Sequence, residues 1–121
     1  MESPYRFFTV ESSNEATIVT LRHGSPFNEA TFFAVQAELL GFVEVTRPAK
    51  LVVSLQHIEA MVSSMVGVLI SLKRKVVSLQ PHGTVALCAL NEHSQEVFNT
   101  IDPKQSLFPR YPTAGEAVAT P

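Results

Sequence analysis

Two adjacent serines, Ser63 and Ser64, follow His57 and Glu59 in the run HIEAMVSSMVG. A serine hydroxyl near an imidazole and a carboxylate raises the question of nucleophilic catalysis. That chemistry needs serine, base and orienting acid to converge on an oxyanion hole, and no G-x-S-x-G word surrounds either serine. Two other uses remain open for Ser63. At a helix start its oxygen accepts a bond from an open backbone N–H, worth about 1 kcal/mol. A phosphate on the same oxygen would take several such N–H groups and the positive end of the helix dipole, while adding a charge of about -2.

Other residue types offer less chemistry. His23, His82 and His93 are scattered without ligand spacing, and the single Cys88 can complete neither a disulfide nor a typical structural zinc site. We expect no metal and no cofactor. The words GSP and PHG lack the pattern of a phosphate-cradling loop. With 11 acidic against 9 basic side chains and a net charge of -2, there is no broad positive surface for nucleic acid. The densest positive run, Lys73, Arg74 and Lys75, reads as a solvated stretch towards the end of a helix, since three consecutive residues cannot share one helix face.

The elements that would position these residues follow from hydrophobic period. The 121 residues, 45% hydrophobic, suit one domain over 1–121 with its core at about 7–118. YRFFTVE (5 to 11) and ATIVTLRH (16 to 23) predict two strands around the turn-forming SSNE. From about Glu29, Phe32, Val35, Leu39 and Phe42 recur at helical spacing, with Asn28 as candidate N-cap and Gly41 as a weak point near the end. LVVSL (51 to 55) predicts a buried strand, and the run from Ser64 to about Leu79 a helix lined by Val66, Leu69, Ile70, Leu72 and Val76. TVALCAL (84 to 90) predicts another strand, and NEHSQEVFNTI (91 to 101) a helix capped by Asn91. Leu107 and Phe108 predict the core of a last short strand, and TAGEAVA (113 to 119) a closing helix opened by Thr113. The fold class is α/β: a mixed, largely parallel sheet with an N-terminal antiparallel pair and about four helices. The apolar run near Val62 reaches Lys73 too soon to span a bilayer, and Glu2 without an apolar core behind it does not read as a secretory signal. A soluble, cytoplasmic protein without membrane insertion is expected.

The order of elements and the words LVVSLQHIEAMVSSMVGVLISLKRK resemble the STAS domain of the anti-sigma-factor antagonists, the SpoIIAA-like family. The family pattern is an apolar strand ending in Asp, a short loop, then Asp-Ser-Ser-Gly-Leu-Gly opening a helix. Here V-S-S-M-V-G occupies 62 to 67, and AGEAVA is similar to the family's closing helix. Ser63, Ser64 and Gly67 match the pattern, whereas Ser54 and Val62 stand at the two aspartates and Met65 at the first glycine.

The resemblance implies a regulator that works by protein contact and not as an enzyme. Its partner would be an anti-sigma factor or related serine kinase. Ser63 corresponds to the phosphoacceptor, and the contact surface would comprise His57, Glu59, Ser63, Ser64, Met65 and Gly67. The missing acids point to a variant that binds constitutively. Homodimerisation stays open, as do two other classes: a STAS-like accessory subunit of a membrane transport complex, and a serine hydrolase. Met65 reads equally as docking contact or core filler, and Gly67 as a point where the helix approaches a strand closely.

Overall fold

The computed structural model describes residues 5–13, 15–22 and 29–120. Strand β1 (Phe8–Ser13) and strand β2 (Ala16–Leu21) form an antiparallel hairpin in which Ser13 pairs with Ala16 and Phe8 with Leu21. Glu15 makes the turn with a φ of 68°, the left-handed conformation that a two-residue hairpin connection demands. The next three strands, β3 (Lys50–Ser54), β4 (Thr84–Cys88) and β5 (Arg110–Tyr111), join in parallel, and the order across the sheet is the order in sequence. Helices α1 (Glu29–Thr46), α2 (Ser63–Leu79) and α3 (Glu92–Ile101) are the crossovers, and α4 (Ala114–Ala119) follows the last strand. The antiparallel opening and parallel remainder agree with the expectation from sequence.

Strand alternation divides the sheet into two unequal faces. One set of residues, Phe8, Val19, Leu21, Leu51, Val53, Val85 and Leu87, packs under Val35, Leu39, Phe42 and Val43 of α1, the α2 stripe, and Phe98 of α3. The opposite set, Ala16, Ile18, Val52 and Cys88, packs against Ala117 and Val118 of α4, with Ala89, Tyr111 and Ala114 alongside. That short helix is held from outside by Lys50, whose Nζ donates to the carbonyl oxygens of Val118, at 2.9 Å, and Thr120. A cation on the open carbonyls of a helix end meets both their lone pairs and the negative end of the dipole. Thr113 caps the other end by accepting from the Glu116 amide at 3.1 Å, as its position in the sequence predicts.

The weak point expected at Gly41 lies near the end of its helix, whereas two expectations are corrected. Helix α1 continues through Gly41 to Thr46 and stops where Arg47, at φ 48°, donates its amide to the Val43 carbonyl oxygen at 2.7 Å. Gly41 is exposed inside the helix, where it costs about 1 kcal/mol against alanine without ending the helix. The last strand is Arg110–Tyr111 and not the Leu107–Phe108 segment. Asp102 captures that segment instead: Oδ1 accepts the Ser106 amide at 2.8 Å, Oδ2 accepts the Phe108 amide at 3.0 Å, and Leu107 donates to both. Amides turned onto a carboxylate cannot serve a strand ladder, while the Phe108 ring still enters the core against Phe98. The expected cap Asn28 lies outside the described residues, as does His23.

The run Lys73, Arg74, Lys75 is the second correction. Helix α2 extends to Leu79 and its last turn holds no basic residue. Lys73 donates to the carbonyl oxygens of Ser106, at 3.3 Å, and Leu107, and lies 5.7 Å from the centre of the Phe108 ring. Lys75 pairs with Glu44 of α1 at 3.7 Å. The run is dispersed around the helix, as three consecutive residues must be, and two of its members join α2 to its neighbours. Among the described residues, no helix is long and apolar enough to cross a membrane.

Candidate functional site

Strand β3 delivers the chain to the candidate site. Its last residue, Ser54, is 4% exposed on the α4 face and hydrogen-bonds the Cys88 thiol across the parallel pair. Burial pushes that thiol above its ordinary value, against the smaller opposing effect of Ser54, so Cys88 is a small core residue. The loop then turns, with Ile58 donating its amide to the Leu55 carbonyl at 3.0 Å, and buries Ile58 and Met61 while exposing His57, Glu59 and Val62. Apolar anchors within the loop fix its path, and its polar residues face outward as a consequence.

A second support comes from Asn91, whose importance the sequence shows only in part. Its Oδ1 accepts the Ser94 amide at 2.8 Å, the expected cap of α3. Its Nδ2 also donates to the carbonyls of Ile58, at 3.3 Å, and Glu59, at 2.7 Å. One side chain thus closes a helix end and holds the loop before Ser63. The separation in sequence gives no local signal for the second contact.

Helix α2 begins without the serine cap that its sequence suggests. The N-cap is Val62, extended at φ -96° and ψ 160°, with no side-chain hydrogen bond, and no acidic residue stands in the first turn. Ser63 and Ser64 are already helical and exposed. A residue inside the first turn points its hydroxyl away from the amides that a cap would serve, which overturns capping by Ser63. The Met65 and Val66 amides both reach the Val62 carbonyl oxygen, at 3.0 and 3.1 Å. The positive end of the dipole lies beside the two hydroxyls with no negative side chain on its own turn.

The expected contact residues separate into groups. Met65 is 1% exposed and packs in the core with Val68, Leu69, Leu72 and Val76, so its role is packing and not docking. Gly67 is exposed, and a Cβ added there would meet nothing within 4 Å, which overturns the close approach to a strand. It lies instead with Ser64, Val68 and Ser71 along a groove of about 290 Å³, opposite Phe32, Phe33 and Gln36 of α1. Phe33 is 71% exposed at its rim. His57 lines a different recess, beside Thr9, Thr20, Leu21 and Arg22. No hydrogen bond joins Ser63 or Ser64 to His57 among the described residues, so the geometry gives no support to the triad needed for hydrolysis. No group of three His, Cys, Asp or Glu side chains suited to a metal occurs among them either.

Solved structures supply a comparison for this strand, loop and helix. An anti-sigma factor antagonist from Thermotoga maritima superposes with a TM-score of 0.76 at 18% identity, over 91% of this chain and 90% of that one. The chain has the STAS fold. A STAS domain protein of the same description from Planctomyces limnophilus gives a TM-score of 0.71 at 22% identity, covering 92% and 93% of the two chains. SpoIIAA in its unphosphorylated form gives 0.65 at 16%, covering 92% and 94%. The same Bacillus protein has also been solved phosphorylated. No family model and no curated protein matches the sequence. Within the STAS fold of this chain, the segment carrying V-S-S-M-V-G is the exposed turn that opens α2.

Proposed function

We propose that this chain is a regulatory protein–protein interaction module of the anti-sigma-factor-antagonist type, binding an anti-sigma factor or a related serine kinase. Its docking surface is the loop 57–62 and the first turn of α2, through His57, Glu59, Ser63, Ser64 and the open edge at Gly67. The observation that carries this reading is the presentation of Ser63: exposed, on an uncapped helix start, at the end of an anchored strand and loop.

Such a turn can act as a switch without moving. In transfer to Ser63, the hydroxyl oxygen bonds to the γ-phosphorus of the partner kinase's nucleoside triphosphate, the β–γ bridge breaks to release the nucleoside diphosphate, and the hydroxyl proton passes to a base. Val62 cannot be that base, and neither can any residue of the first turn, so the proton goes to a group of the kinase or to His57 or Glu59 of the preceding loop. The resulting phosphate gains the open amides of the turn and brings about two negative charges to the docking surface. A partner fitted to the neutral turn is then repelled. Without such a kinase, the same surface works as a constitutive binder.

Binding of the purified anti-sigma factor or kinase to substituted chains tests the reading. Ser63→Asp weakens binding by about tenfold or more, and Ser63→Ala leaves it within about twofold. Equal affinities for the two variants contradict the switch. Phosphopeptide mass spectrometry on protein from its native cells then separates switch from constitutive binder: phosphate on Ser63 identifies the first, and its absence from a well-covered peptide the second.

A further inference from the structure

We propose that the recess beside the β1–β2 hairpin binds the phosphate group of a small organic molecule. It is about 310 Å³ in volume and lined by Thr9, Thr20, Leu21, Arg22 and His57. Thr9 and Thr20 oppose one another across the antiparallel pair, on the face of the sheet that carries Ile18. On that face α4 lies over β3, β4 and β5, which places the pair of threonines towards the other edge of the sheet.

Among the described residues, the polar side chains of the lining are all donors and none is an acid. Neither threonine hydroxyl nor the His57 ring has a hydrogen-bond partner among the described residues. Arg22 donates from Nη2 to the Tyr5 carbonyl oxygen at 3.2 Å, which steadies the guanidinium and leaves its other N–H groups open. The carboxylate nearest along the same face of β1, Glu11, sits opposite Ile18 and is outside the lining. In a chain whose net charge is -2, a concavity bearing one guanidinium, two hydroxyls and an imidazole favours an oxyanion. The planar fork of Arg22 matches two phosphate oxygens, and the hydroxyls and the imidazole N–H can meet the rest. Leu21 adds an apolar wall, and the volume leaves room for an organic body behind the phosphate.

This site shares His57 with the proposed docking surface, but Arg22, Thr9 and Thr20 lie outside it, so Arg22 variants test the recess independently of the docking reading. The test is a ¹H–¹⁵N NMR titration of the full chain with inorganic phosphate and with phenyl phosphate, at constant ionic strength. Both probes give saturable shifts centred on Thr9, Thr20, Arg22 and His57, with phenyl phosphate the tighter. Arg22→Gln weakens both by about fivefold or more while the spectrum keeps its dispersion, and Arg22→Lys, which keeps charge without the fork, falls between. Unsaturating shifts spread over the surface overturn the proposal, as does unchanged binding in Arg22→Gln. Binding of inorganic phosphate with phenyl phosphate excluded overturns the organic ligand.

Discussion

At Val62 the chain places an aliphatic side chain where an oxygen would do most for a helix start. Valine ranks among the poor N-caps because it can accept nothing from the open amides. Val62→Asp should therefore stabilise the fold by about 1 kcal/mol, measured as a higher denaturant midpoint at unchanged slope. Ser63→Ala should leave that midpoint unmoved, in contrast to the loss of about 1 kcal/mol that a capping serine would show. Asp102 is the opposite case, a residue with no apparent pattern in sequence and a defined structural role. Burial alone would push its pKa up, but the Phe108, Leu107 and Ser106 amides, with Arg110 nearby, hold the carboxyl below its usual range overall. An acid with a depressed folded value contributes stability above its unfolded value, near 4, and loses it as pH falls through the folded one. Asp102→Ala should cost about 2 kcal/mol at neutral pH. Its stability should also fall less steeply than that of the parent chain between about pH 4 and the acid limit.

Asn91 couples two elements, and its substitutions can separate the contributions. Asn91→Asp keeps an oxygen for the Ser94 amide but removes the donor to the loop carbonyls of Ile58 and Glu59. It should leave α3 capped and speed amide hydrogen exchange in residues 57–62, whereas Asn91→Ala should affect both segments and cost about 1 kcal/mol more. This contact also marks the boundary of what could be read from sequence. Thr113 and the cap function of Asn91 were legible because a cap acts within three residues, and the strands and helices because burial repeats at 2 or 3.6 residues. The loop clamp, the capture of residues 106–108 by Asp102, and the bonds of Lys73 join segments distant in sequence or override local pattern. The last of the strands was displaced for that reason: apolar Leu107 and Phe108 resemble a strand until a carboxylate claims their amides.

For the whole molecule, the arrangement survives identities of 15–22% because the alternating core, and not the motif, specifies it. Val19, Leu51, Val53, Val85 and Leu87 under the stripes of α1 and α2 were evident as runs of apolar residues, which marked the strands but not their order across the sheet. The site was legible only as a position. Periodicity located the start of α2 to within a residue, while the burial of Met65, the groove facing Gly67 and the separate recess holding His57 depend on how helices and loops pack. The claim that organises these features is that the loop and first turn of α2 dock a regulatory partner. Its most direct test is photo-crosslinking in the native cells, with a photoreactive residue at Glu59 or Ser64 and at the control position Glu44 on α1. The account predicts a discrete adduct at Glu59 and Ser64, identified by mass spectrometry as an anti-sigma factor or serine kinase and abolished by Ser63→Asp. No adduct at either position, or the same adducts at Glu44, would contradict it.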